Sequence, residues 1–168
     1  NLVAATGGVS RASSNRVAYV EAGGRRVESM IRANNFTMWP DCSYPPWDPE
    51  VSLYATHFLV AAEKAGTALV PTAKKQVETF LDRWSLDTNT VVSAYACHTL
   101  ALAGKAPLDR MLMLYDRRGE LDGLSRARLA RAFALTGDRA RAQKLIAPCT
   151  AVPTTVKEAA FELLALLE

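Results

Sequence analysis

Two histidines hold matched places in this chain. His57 follows Tyr54 by three residues in Ser52-Leu53-Tyr54-Ala55-Thr56-His57-Phe58-Leu59. His98 follows Tyr95 by three in Ser93-Ala94-Tyr95-Ala96-Cys97-His98-Thr99-Leu100, 41 residues later. A matched pair of this kind could hold a metal or share a proton. A zinc site, however, needs three or four converging ligands, and neither histidine has a carboxylate or cysteine at i+3 or i+4. Cys97, adjacent to His98, points to another helix face. Both histidines therefore read as packed or hydrogen-bonded residues. The serines form no Gly-x-Ser-x-Gly elbow. Gly7-Gly8 and Gly23-Gly24 lack the spacing and the preceding strand of a phosphate loop, and no acidic run could hold magnesium and pyrophosphate. No catalytic, cofactor-binding or metal-binding residue is assigned, no cofactor is expected, and the chain reads as a non-enzyme.

Three cysteines remain. Cys97 lies in a periodic apolar helix and reads as a small core residue. Cys42 and Cys149 fall in proline-flanked segments, where a disulfide between them would need an oxidising compartment. Phe36, Trp39, Tyr44 and Trp47 share one stretch with Pro40, Pro45, Pro46 and Pro49. That stretch could recognise peptide or carbohydrate, but the favoured reading folds its rings back over helix ends.

The elements that must position these residues are helical. Glycines at 66, 104 and 137 each end an apolar-periodic segment, at intervals of 38 and 33 residues, the mark of paired helices stacked as an array. From residue 15, Val17, Val20, Val27, Met30 and Ile31 share one helical face. Gly23-Gly24 inside it signals either a break or a close helix–helix approach. Residues 34 to 48 read as a loop, with Asn34-Asn35 suited to left-handed geometry. Asp48-Pro49-Glu50 starts a helix that runs to about Ala65. Others span about Thr72 to Trp84, Asp87-Thr88 through Ala103, Pro107 to Arg118, Leu124 to Leu135, Asp138 to Ile146, and about Val156 to Leu167. Residues 1–13 read as a linker or disordered lead-in, and residues 14–168 as a single helical-hairpin domain. Strand signal is almost absent, so the expected class is all-α.

The 168 residues, 49% hydrophobic and 22% charged, suffice for a sizeable core. A net charge of +3, with basic residues spread over the helices, argues against nucleic acid as a partner. Arg126, Arg128 and Arg131 form one modest cluster that reads as a solvated face. No run of 18 apolar residues exists, so no membrane-spanning helix is expected. The first and last residues suggest a fragment of a larger protein.

One string of residues carries a family resemblance. Phe36-x-x-Trp39-Pro40, Trp47, Ser52-x-Tyr54-Ala55-Thr56-His57-Phe58-Leu59, Ala62, Ala65-Gly66 and Val70-Pro71 resemble the thioester-domain region of bacterial alpha-2-macroglobulin-like proteins. Ser93-Ala94-Tyr95-Ala96 and Leu100 to Lys105 are similar to that region's next helix. Leu114-Tyr115-Asp116-Arg117-Arg118-x-Glu120-Leu121 and Ala130-x-Ala132-Phe133-Ala134-Leu135-x-Gly137-Asp138 with Ala142 continue the likeness, which covers residues 15 to about 148. The resemblance implies an α/α toroid, here a partial or shortened ring. It also implies a role in protease inhibition, in which cleavage of a bait region exposes a Cys–Gln thioester that acylates the protease. The implied partners are proteases, through the parent protein, and the parent's other domains. The implied location is the periplasm, with membrane contact only through a lipid anchor outside this stretch.

The thioester signature Gly-Cys-x-Glu-Gln is absent, so Cys42, which has no glutamine partner, is given no reactive role. Asn34-Asn35 stands where the family has Gly-Gly. The competing readings are an α/α toroid enzyme of the terpenoid-cyclase or prenyltransferase kind and a peptide-binding α-solenoid.

Overall fold

The computed structural model describes residues 17–32, 35–37 and 49–146. Helix α1 covers residues 17–29, followed by the two-residue strands β1, Ile31–Arg32, and β2, Asn35–Phe36. Six helices follow: α2 Pro49–Lys64, α3 Pro71–Ser85, α4 Thr90–Leu102, α5 Leu108–Asp116, α6 Gly123–Leu135 and α7 Arg139–Ile146. The described chain is all-α apart from that one small antiparallel pairing, Ile31 opposite Phe36 and Arg32 opposite Asn35.

The starts and stops of these helices are written locally. Three end in the same way, with a glycine at positive φ: Gly66 at 99°, Gly104 at 75° and Gly137 at 86°. At each, the glycine N–H and the following N–H reach back to carbonyls in the last turn. After α4, for example, Gly104 donates to Ala101 and Lys105 to Leu100. This Schellman closure satisfies carbonyls that would otherwise lack partners, and glycine enters it without the steric cost a Cβ brings. At the other ends, Asp122 accepts from Ser125 N–H at 2.6 Å and Asp138 from Arg141 N–H at 3.1 Å. Asn89, rather than Asp87 or Thr88, caps α4 by accepting from Val91 N–H at 3.0 Å. Asp87 sits one step back and accepts from Asn89 N–H. Two of the expected features, the Asp48 cap and the helix over 156–167, lie outside the described residues.

The α1 expectation needs one correction. Met30 and Ile31 continue its apolar face in sequence, yet the helix stops at 29 and Ile31 joins the β pairing. Packing decides this, because the pairing buries Ile31 and Phe36 together in the first core, with the Phe36 ring 5.8 Å from Phe80. Asn35 is part of this strand, so it does not supply the left-handed turn. Gly23-Gly24 does not break α1 either. A Cβ on Gly23 would lie 3.4 Å from Phe58 Cζ, so the pair marks a close approach of α1 to α2. Glu28 fastens the same helix to the α2–α3 connection by accepting Val70 N–H at 2.8 Å.

Helix α4 is the hub, packed against α2, α3, α5 and α6, while α6 also carries α7. Every residue from Val92 to Ala101 is buried, so α4 has no polar face to offer solvent. It feeds two cores. Val92, Tyr95, Ala96 and Leu100 meet α2 and α3 around Leu53, Leu59, Phe80, Leu81 and Trp84. Ala94, Cys97 and Ala101 meet α5, α6 and α7 around Met111, Leu129, Phe133 and Leu145. Alanines on α4 and α6 allow this close packing, because each larger side chain would push the neighbouring helix away. Ala96→Leu is therefore expected to cost about 1–3 kcal/mol through overpacking. Ala103→Leu, at the exposed end of α4, should stay within about 0.5 kcal/mol. Paired urea titrations compare the two, and equal midpoints would contradict the sealed position of Ala96.

Candidate functional site

The matched histidines come together where α2, α4 and α6 meet. The His57 and His98 rings lie 5.2 Å apart, edge to face. The Tyr95 hydroxyl is 3.2 Å from His57 Nδ1, a hydrogen bond whose direction follows the histidine tautomer. Tyr95 stacks near His98 one turn further along α4, with ring centroids 6.5 Å apart. The Arg128 guanidinium of α6 then covers the Tyr95 ring at 3.8 Å, a cation–π contact. The joint thus runs from α2 through α4 to α6 by way of aromatic and cationic side chains.

The two repeats are alike in sequence and unlike in surroundings. His98 is fully buried and Tyr95 nearly so, whereas His57 is half-buried and Tyr54 is 71% exposed. Position explains the difference. Helix α4 has neighbours on all sides, and the α2 face bearing Tyr54 looks outward among the described residues.

Burial sets the chemistry of the cluster. Desolvation, followed by the charges of Arg131 and Arg128, lowers His57 to about 4. The same causes, with His57 itself acting after desolvation, push His98 well below the usual histidine range. Desolvation raises the Tyr95 hydroxyl to about 12 and the Cys97 thiol to about 12. At neutral pH the joint therefore holds neutral imidazoles and a protonated phenol beside Arg128 and Arg131. An imidazole that protonates only near pH 4 is a weak base at pH 7. It is better suited to accepting one fixed hydrogen bond. Cys97, held as a thiol in the core, is a packing residue as its helical context predicts.

A stability consequence follows from the depressed histidines. The unfolded chain takes up a proton near 6.5, while folded His57 resists until about 4. Stability contributed by the neutral ring is therefore complete above about pH 6.5 and is lost as the pH falls towards 4. That loss is up to about 3 kcal/mol for His57, with His98 acting in the same direction. Urea unfolding measured at pH 7.5 and pH 4.5 checks this, and equal free energies would rule it out.

Arg128 corrects the sequence reading of the 126–131 cluster as a solvated face, because its side chain is buried. A signal was present. Arg128 shares a helical face with Ser125 and Ala132, and both are fully buried. The small residues of α6 draw it against α4, and the arginine stem follows. Among the described residues, no three His, Cys, Asp or Glu side chains gather as a metal site. Cys42 and Cys149, with Trp39, Tyr44 and Trp47 of the aromatic stretch, lie outside the described residues.

Helix α5 carries exposed apolar side chains among charged ones such as Asp109 and Asp116. It buries Met111 and Leu114 yet leaves Leu108, Leu112 and Met113 exposed, and Leu86 beyond α3 is exposed as well. Two open clefts of about 450 and 480 Å³ flank this helix and share Ala106 and Leu108. Phe133, Thr136 and Arg141 border the first, and Ser85, Leu86 and Arg110 the second. Compared with known proteins, the chain matches no family model, no curated protein and no solved structure.

Proposed function

We propose that this chain is a helical domain of a bacterial alpha-2-macroglobulin-like protease inhibitor, contributing scaffold and target-facing surface to protease trapping. Its hairpins would form part of an α/α toroid in a periplasmic protein tethered to the inner membrane. The reading rests first on the residue string from Phe36 to Ala142. Its described members fall on coherent positions, with the glycines at 66, 104 and 137 closing α2, α4 and α6. The repeated Ser-x-Tyr-Ala segments lie on α2 and α4, two neighbouring helices.

The observation that carries the scaffold role is the contrast between the two faces. The histidine joint is closely packed, with its imidazoles and phenol held neutral beside two arginines, whereas the α5 side offers apolar side chains between two clefts. Exposed apolar patches of this kind serve contact with other proteins. A surface for a target, or for another domain of the inhibitor, suits this side better than a reaction centre suits the other.

The test is a panel of secreted endoproteases incubated with the protein that carries this chain. Cleavage of a protein substrate by the treated proteases is expected to fall. Where the parent holds a thioester, prior methylamine treatment should remove covalent capture. Undiminished cleavage across the panel, with the protein shown to be folded, would overturn the proposal.

A further inference from the structure

We propose that the contact between α2 and α4 is a proton-operated latch, in which acid loosens α2 from α4 while α6 and α7 stay packed. The inference is independent of the inhibitor reading and stands on where titratable groups lie among the helix seams. The seam between α3 and α4 is made by Ala73, Phe80, Trp84, Val92 and Leu100, none of which gains charge in acid. The seam joining α4, α6 and α7 is made by Ala94, Leu129, Phe133, Ala142 and Leu145, with Cys97 as its thiol. Neither α6 nor α7 brings a histidine to it, and the group that α6 sets over Tyr95, the Arg128 guanidinium, is already charged and gains nothing as the pH falls. Between α2 and α4 the situation differs, because His57 of one helix faces Tyr95 and His98 of the other.

A proton arriving on His57 would have unfavourable neighbours. On α4 it meets the His98 ring at 5.2 Å and the Tyr95 hydroxyl, which stays protonated. From α6 the charges acting on it are Arg131 and Arg128, both positive. On its own helix, Glu50 and Tyr54 act on Tyr95, and neither figures among the groups that shift His57. No charge from α3 or the β pairing does so either, among the described residues. A cation placed there is desolvated and repelled together, and the relief available is for α2 to part from α4 and let water reach the ring.

The expected size follows from linkage. A histidine that titrates normally when the joint is open and near 4 when it is closed favours opening roughly 30-fold between pH 7.5 and pH 5. His98 adds to this in the same direction. Hydrogen–deuterium exchange at the two pH values, corrected for the intrinsic pH dependence of amide exchange, reads the opening helix by helix. The opening of α2 amides should rise by at least that factor, while α6 and α7 amides change only a few-fold. His57→Gln keeps a hydrogen-bonding group that cannot titrate, and it should remove about 30-fold of the acid response.

Equal acid sensitivity in α2, α6 and α7, or a full response in His57→Gln, would overturn the latch. Should that variant fail to fold, the imidazole signals of the unaltered protein decide by NMR. A His57 midpoint below pH 5 supports the proposal, and one near 6.5 refutes it.

Discussion

Phe80→Ala is expected to destabilise the protein by about 3–5 kcal/mol, towards the upper end of that range, through loss of buried area and the void left behind. Phe80 is among the largest fully enclosed side chains and stands where three elements meet. Its ring lies 5.8 Å from Phe36 of β2 and 5.6 Å from Trp84 on its own helix, while the Arg83 guanidinium sits 5.8 Å away over its face. Alanine would loosen the β pairing from α3 and leave a cavity inside the core that Phe80 shares with Val92 and Leu100 of α4. For a domain whose whole stability is about 5–15 kcal/mol, this is a third or more of the total. Urea unfolding followed by circular dichroism measures it, and a loss below about 1 kcal/mol would contradict the packing of α3 on α4.

Phe133→Ala should also be costly, at about 3 kcal/mol, the lower end of the same range. Phe133 is as well buried as Phe80 and anchors α6 in the second core, with the Tyr115 ring 5.7 Å away, edge to face. The difference is the cleft beside it, whose lining includes Phe133 together with Leu108 and Leu112. A void opening onto that cleft can fill with water or with a shifted leucine, so less of the cavity penalty remains. The two phenylalanines belong to separate cores joined through α4. Their effects should therefore add to within about 0.5 kcal/mol in the double variant. A strong coupling between them would mean that the two cores are one cooperative unit with shared strain.

The helices were legible in the sequence because their ends are chemically local. A glycine that must take positive φ, or an aspartate that must accept an N–H three residues on, needs no distant partner to declare itself. Gly66, Gly104, Gly137 and Asp138 all act within one turn of where they stand, as does Asp122, a cap that the sequence reading passed over. The candidate site was legible in part. The repeat marked His57 and His98 as equivalent, and helical context marked Cys97 as core. The arginine that completes the cluster was read as solvated, since charge alone argues for exposure. Its burial depends on a stripe of small residues that brings α6 against α4.

By itself the sequence determined an all-α chain with glycine-closed helices and two histidines in register 41 residues apart. Tertiary structure decided what those histidines became. It set one ring on the other at 5.2 Å, placed Arg128 over Tyr95, and ended α1 early so that Ile31 and Phe36 could enter the core. The reason is physical: helix caps are governed by neighbours in the chain, whereas burial, and with it protonation, is governed by which faces of distant segments meet.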